Sequence, residues 1–318
     1  MSLWPALVVD LGGTNVRLGL VDGPDAEPRA IKERLLADGG DLEQAIGDYL
    51  ESIGGRVPGA CLAVNGPVTR DEIQPSNSTW HFSISGLKRS LGFGRLLVIN
   101  DFHALALALP RLRPNDLAPI GSGSAQAEGV RVVLGPGTGF GVAALVRHRG
   151  DWVPVASEAG QASFAPLDAL EARVAEILGR SGRVTVERVL CGPGLLEIDQ
   201  ALAEIDGAHS PRARPEEVAE AAVAGDARAS RALDLFFAAL GSVAGDAALT
   251  FCATGGVYLA GGILPKLLKP LAVSRFRARF EDKAPLAALV RPIPTAVITR
   301  AYPGLIGAAA ALGDDKHS

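Results

Sequence analysis

Val8-Val9-Asp10-Leu11-Gly12-Gly13-Thr14-Asn15 is an apolar strand pattern that ends on a carboxylate and breaks at two glycines. The next residues, Val16-Arg17-Leu18-Gly19-Leu20-Val21, form a second apolar run and not a helix start. A dinucleotide fingerprint needs Gly-x-Gly-x-x-Gly, and a Walker loop needs Gly-x-x-x-x-Gly-Lys-Ser/Thr; each must open a helix. Both readings fail here, on spacing and on context. A Gly-Gly turn between antiparallel strands exposes successive N–H groups and leaves room for a phosphate, because glycine tolerates positive φ. Gly12, Gly13, Thr14 and Asn15 are therefore candidates for holding nucleotide phosphates, with Thr14 adding a hydroxyl donor. Asp10, at the strand end, can hold Mg²⁺ through water. An ordinary β-hairpin turn accounts for the same residues equally well.

The pattern recurs. Val132-Val133-Leu134-Gly135-Pro136-Gly137-Thr138 repeats the strand and turn, with Thr138 lying 124 residues beyond Thr14. Gly137, Thr138 and Gly139 form the candidate second phosphate turn. Chance likeness between two strand-turn pieces is the alternative to a duplicated architecture. Gly261 and Gly262 follow a third apolar run, Val257–Ala260, and would suit the flat face of a nucleoside.

The rest of the chain places these turns in an α/β protein. Up to about residue 110, strand and helix patterns alternate. Asp41–Ile53 has Leu42, Ile46, Leu50 and Ile53 on one helical face, and Gly59–Val64 and Leu96–Asn100 read as strands. Ser83–Leu91 reads as a helix capped by Ser83. A second unit begins near Val130, with helical patterns at Pro166–Leu178, Pro193–Ile205, Pro215–Ala224 and Asp226–Ala253, the last expected to close on Gly255-Gly256. Arg279–Pro294 reads as a connecting stretch before a strand at Thr295–Thr299 and a final Ala-rich helix.

A net charge of −4 over 318 residues, with no basic run, argues against nucleic-acid binding. Three widely spaced cysteines fit reduced thiols and give no zinc spacing. The N-terminal residues lack the basic region of a signal peptide, so a cytoplasmic protein is expected. Ala247–Pro265 is uncharged and long enough to cross a membrane, but its two Gly-Gly pairs favour a helix end, a short strand and a loop.

Three acids stand where chemistry could occur. Asn100-Asp101 follows an apolar strand, and open α/β sheets bind ligands beyond strand C-termini. Asp101 could accept a proton from an attacking hydroxyl, or it could cap the helix Phe102–Leu109. Glu158 lies in the small-residue loop Ser157–Gln161, and Glu187 precedes Gly192-Pro193-Gly194. Taken singly, each of these two also reads as a solvated acid.

In this order the pieces resemble the bacterial glucokinase family, across Val8 to about Leu312. The likeness is carried by Asp10–Asn15, Asn65-Gly66-Pro67, Asn77-Ser78-Thr79-Trp80, Ile99–Phe102 and Gly135–Gly139. Further on come Glu158, Phe164-Ala165-Pro166, Glu187–Leu190, Gly192–Gly194, Ala260–Gly262, Phe280–Lys283 and Pro303–Gly307. The resemblance implies a two-domain actin-like ATPase (ribonuclease H-like) fold with the ligand cleft between domains. A small α/β domain of residues 1–110, rejoined by a helix at about 301–318, would accompany a large α/β domain of 111–300. It implies ATP and Mg²⁺, a small-molecule sugar, no nucleic acid, no membrane and a homodimer. Asp101 would be the general base on the sugar 6-hydroxyl, with Asn77, Asn100, Glu158, Gln161 and Glu187 on the sugar side. One departure stands out: the family loop usually reads Glu-Gly-Gly-His, and here it reads Glu158-Ala159-Gly160-Gln161. A kinase for another hexose or an amino sugar, and a non-catalytic sugar sensor, are the competing functions. The cysteine zinc motif of the repressor–ORF–kinase sugar kinases is absent, which sets that sister family apart.

Overall fold

In the computed structural model, which describes residues 3–75 and 80–314, the opening run is β1 (Ala6–Leu11). β2 (Asn15–Val21) returns antiparallel beside it, with Asp10 opposite Arg17 and Leu11 opposite Val16. The Gly12 N–H closes the intervening turn on the Asn15 carbonyl at 3.0 Å. β3 (Arg29–Leu35) lies against β2, and its charged, mostly exposed residues suit a sheet edge. α1 (Leu42–Ser52) starts where Asp41 accepts the Gln44 N–H, and it buries Leu42, Ile46, Tyr49 and Leu50. β4 (Gly59–Val64) is buried at every residue, as a strand covered on both faces must be. After the short hairpin β5 (Glu72–Ile73) and β6 (Phe82–Ser83) comes α2 (Ile84–Ser90), capped by Ser83 as its sequence predicts. β7 (Arg95–Asn100) leads directly into α3 (Asp101–Ala108). The sheet order is β3-β2-β1-β4-β7, with β1, β4 and β7 mutually parallel.

The later elements are β8 (Leu117–Pro119), β9 (Arg131–Pro136), β10 (Phe140–His148), β11 (Asp151–Ser157), α4 (Ala169–Gly179), α5 (Val186–Val189) and α6 (Gly192–Ile205). They continue with α7 (Pro215–Val223), α8 (Ala227–Phe251), β12 (Val257–Leu259), α9 (Leu268–Ala272), α10 (Phe276–Glu281), α11 (Ala287–Val290) and β13 (Thr295–Ile298). Five of these strands are ordered β10-β9-β12-β13-β8. β9 and β10 are antiparallel, whereas β12 runs parallel to both β9 and β13. The run β2-β1-β4-β7 has the same succession of one antiparallel and two parallel neighbours. The sequence repeat is therefore a repeat of topology.

The last helix, α12 (Pro303–Gly313), packs on α3, β1 and β4. Met1–Pro114, Gly150–Ala156 and Arg300–Ser318 make one compact unit, and Asn115–Arg149 with Ser157–Thr299 make the other. Each unit has its own apolar core. That of the second is built around α8, whose Phe236 and Phe237 are fully buried. Gly241 and Gly245 let α10 approach α8: a Cβ at Gly241 would lie 2.1 Å from the Phe276 carbonyl oxygen.

Three sequence expectations are corrected. α8 ends at Phe251, with Cys252 in the left-handed conformation (φ 47°), four residues before the second glycine of the pair expected to stop it. Gly255 instead makes a close backbone approach, its N–H donating to the Val130 carbonyl at 2.8 Å. Arg279–Pro294 is not a plain connection: it holds the end of α10, with Phe280 fully buried, and α11. The uncharged stretch Ala247–Pro265 divides into the end of α8, β12 and a turn; α8 is long and apolar enough to span a membrane, but 72% of its apolar window is buried. The third correction concerns the start of α3 and belongs to the site.

Candidate active site

At the end of β7 the chain turns into a helix, and Asn100 is its cap: Asn100 Oδ1 accepts the His103 N–H at 3.0 Å. The cap is Asn100 and not Asp101, because the helix already includes Asp101 as its first residue. The Asn100 amide donates both to the Gly66 carbonyl (3.2 Å) and to Asp101 Oδ1 (3.0 Å). The Phe102 N–H donates to the same Asp101 oxygen at 2.9 Å. Two donors on one oxygen fix the carboxylate plane at a helix N-terminus, where the peptide dipoles favour an anion. Gly66, at φ 113°, supplies the left-handed bend that turns its carbonyl to Asn100.

Asp10, in the same unit, is 17% exposed and faces Arg17 across the hairpin at 3.3 Å. Arg17 also reaches Glu33 on β3 at 2.9 Å, so one guanidinium bridges two carboxylates across three strands. Burial pushes the Asp10 carboxyl above the usual carboxylate range, and Arg17 opposes that shift. The N-terminal turn of α12 closes on it: a Cβ at Gly304 would sit 3.0 Å from Asp10 Cγ.

In the second unit the turn after β9 is held from two sides. Gly192 N–H donates to the Gly137 carbonyl at 3.1 Å. Phe140 N–H donates to Glu187 Oε2 at 2.9 Å. The Gln161 amide donates to the other Glu187 oxygen, Oε1, at 2.8 Å. Glu187 rides on α5, begun by Thr185 accepting the Arg188 N–H. Gln161 ends a single 3₁₀ turn, Ala159–Gln161, that directly follows Glu158. Burial, and then the nearby Glu187 charge, push the Glu158 carboxyl up. Glu158 and Gln161, from one loop, and Glu187, from α5, thus share one electrostatic environment.

The glycines separate into two kinds. A Cβ at Gly261 would lie 2.0 Å from the Pro136 carbonyl oxygen, and its φ is 99°. A Cβ at Gly139 would lie 2.4 Å from Glu187 Oε2. Packing against main chain demands glycine at Gly261, whereas a Cβ at Gly139 would have to displace the Glu187 carboxylate. Gly137 and Gly262 have nothing within 4 Å of such a Cβ. At these two positions the fold leaves open space beside the backbone.

Of the residues expected from sequence, Asn77 lies outside the described residues. Asp10, Gly12, Thr14 and Asn15 sit in or beside the β1–β2 turn, and Asn100 and Asp101 adjoin one another at the end of β7. Reading by sequence missed Arg17 and the Phe140 N–H. Arg17 was within reach, since a tight turn after Leu11 places it opposite Asp10. The Phe140 amide carries no side-chain signal at all.

The family model for glucokinase matches residues 7–315. The chain belongs to the glucokinase family. A glucokinase from Caulobacter vibrioides is 45% identical over 314 residues, covering 96% of this chain and 94% of that protein. The crystal structure of a glucokinase from an Antarctic psychrotroph is similar with a TM-score of 0.84 at 36% identity, covering 96% of this chain and 98% of that one. A ROK family glucokinase from Streptomyces griseus, in complex with glucose and AMPPNP, shares the fold with a TM-score of 0.65 at 20% identity, over 96% of each chain to within a percentage point. As a glucokinase-family protein with the actin-like ATPase fold, the chain is an ATP-dependent hexose kinase.

Proposed function

We propose that this chain transfers the γ-phosphoryl group of ATP to the 6-hydroxyl of D-glucose, giving ADP and glucose 6-phosphate, with Asp101 as the general base. The observation that carries this reading is the pair of donors on Asp101 Oδ1, from Asn100 Nδ2 at 3.0 Å and Phe102 N at 2.9 Å. They hold the carboxyl group in one orientation, as a base that removes a hydroxyl proton during phosphoryl transfer requires. Glu187, Glu158, Gln161, Asn100 and Asn77 bind the remaining sugar hydroxyls. The β1–β2 and β9–β10 turns present backbone N–H groups to the phosphates, and Gly262 gives the nucleoside its close approach.

Mg²⁺ is the metal that the fold implies. Asp10 suits it: one partly exposed carboxylate at a strand end serves an ion that keeps most of its waters and leans on substrate phosphates. Among the described residues no group of three or more His, Cys, Asp or Glu side chains gathers into an all-protein cage. When bound, the ion would neutralise phosphate charge. Arg17 holds the Asp10 carboxyl in place and opposes the upward shift that burial imposes on it.

Asp101→Asn is expected to lower kcat by roughly 10²–10⁴ in a coupled assay while leaving glucose binding nearly intact. Full activity in that variant would falsify the general-base role. Gln161, where the family usually carries histidine, favours a second reading, a kinase for another hexose or an amino sugar. A panel of sugars in the same assay decides between them, and faster turnover of another sugar sinks the glucose assignment. Retention of Asp101 weighs against a non-catalytic sensor. A cytoplasmic homodimer is proposed on the family resemblance, and sedimentation of the purified protein tests the dimer.

A further inference from the structure

We infer that Glu187 is a positioning residue for the nucleotide as well as a sugar ligand, because its carboxylate braces the second phosphate turn. The inference rests on the kinase reading above. Oε2 of Glu187 accepts the N–H of Phe140, the first residue after the turn Gly137–Gly139. Gly139 lies so close that a Cβ there would meet the same oxygen at 2.4 Å. The turn is therefore wedged between its own hydrogen bond (Gly137 N–H to the Gly139 carbonyl, 2.8 Å), the Gly192 N–H on the Gly137 carbonyl, and Glu187.

Phe140 is almost wholly buried, so its amide would lose a partner with little water to replace it if Glu187 withdrew. The turn would then exchange among conformations in which its N–H groups no longer converge on a phosphate. The second oxygen, Oε1, accepts from Gln161, and each carboxylate oxygen has a further lone pair for a sugar hydroxyl. A sugar that fixes Glu187 therefore fixes the turn, and nucleotide bound to the turn fixes Glu187. By thermodynamic reciprocity each ligand tightens the other by the same factor.

Two conservative variants separate this brace from other roles. Glu187→Asp keeps the charge but is one methylene too short to reach Phe140. Glu187→Gln loses the charge and keeps an acceptor at the right distance, while the Gln161 amide can turn over to accept from it. Titration calorimetry with Mg-ADP, in the absence of any sugar, measures the effect directly. The expected result is ADP binding weakened about tenfold in Glu187→Asp and near wild type in Glu187→Gln, with the thermal midpoint of Glu187→Gln close to the parent and that of Glu187→Asp lower by a few degrees but the protein still folded at the assay temperature. Unchanged ADP affinity in both overturns the inference and leaves Glu187 a sugar ligand only. Tighter binding in Glu187→Gln with no change in Glu187→Asp also overturns it, since charge and not reach would then be at work. A wild-type protein that fails to bind ADP sinks the kinase reading itself.

Discussion

The side-chain amide of Gln161 donates to Oε1 of Glu187 across 2.8 Å, at the position where family resemblance leads to an expected histidine. An amide does not titrate between pH 5 and 8, whereas an imidazole does. Gln161→His is therefore expected to add an inflection near pH ~6.5 to the kcat/KM profile for the sugar, absent from the parent. Superimposable profiles would show that position 161 does not meet the sugar. Gln161→Leu should raise the sugar KM by about 2- to 10-fold, the worth of one hydrogen bond, with kcat little changed.

Glu158 gives a stability signature. Burial, reinforced by the Glu187 charge, raises its folded-state pKa above the unfolded value. The folded state thus prefers the neutral acid. Its contribution is fully present below the unfolded pKa, about 4.3, and is lost as pH rises through the folded pKa. Glu158→Gln, neutral at every pH, should therefore have a higher thermal midpoint than the parent at pH 7, with the gap closing at pH 4. A lower midpoint at pH 7 would contradict the assignment.

Asp10 depends on Arg17 in the same terms. Burial already raises the Asp10 carboxyl, and the guanidinium 3.3 Å away opposes it. Arg17→Gln removes that opposition, so Asp10 ionises only at higher pH. The acidic limb of the kcat/KM profile for Mg-ATP should move to higher pH, with activity partly recovered on the alkaline side. A uniform loss at all pH values would indicate that Arg17 acts by some route other than Asp10.

The two kinds of glycine predict opposite phenotypes. Gly241→Ala and Gly261→Ala place a Cβ at 2.1 Å and 2.0 Å from backbone oxygens, so each should destabilise the protein by at least ~1–3 kcal/mol in denaturant unfolding. Gly262→Ala meets nothing within 4 Å and should unfold like the parent. Its effect should appear instead as a raised KM for ATP. Equal ATP kinetics in Gly262→Ala would remove this loop from the nucleotide site.

Short-range physics made much of this protein legible in its sequence. The β1–β2 hairpin and its copy after β9 could be read because strand periodicity and a glycine turn act over a dozen residues. The Ser83 cap was equally plain, since Ser83 accepts an N–H only three residues away. Tertiary structure alone decided the pairings over longer distances: Glu187 with the amide of Phe140, 47 residues earlier, and Gln161 with Glu187, 26 residues later. It also ended α8 at Phe251, short of the glycine pair, and placed Gly255 in a backbone contact with Val130. A hydrogen bond to a main-chain amide has no residue type to announce it, and a glycine kept for close contact looks the same in sequence as one kept for a turn. The carboxylates were named by sequence; what each one grips was settled by packing.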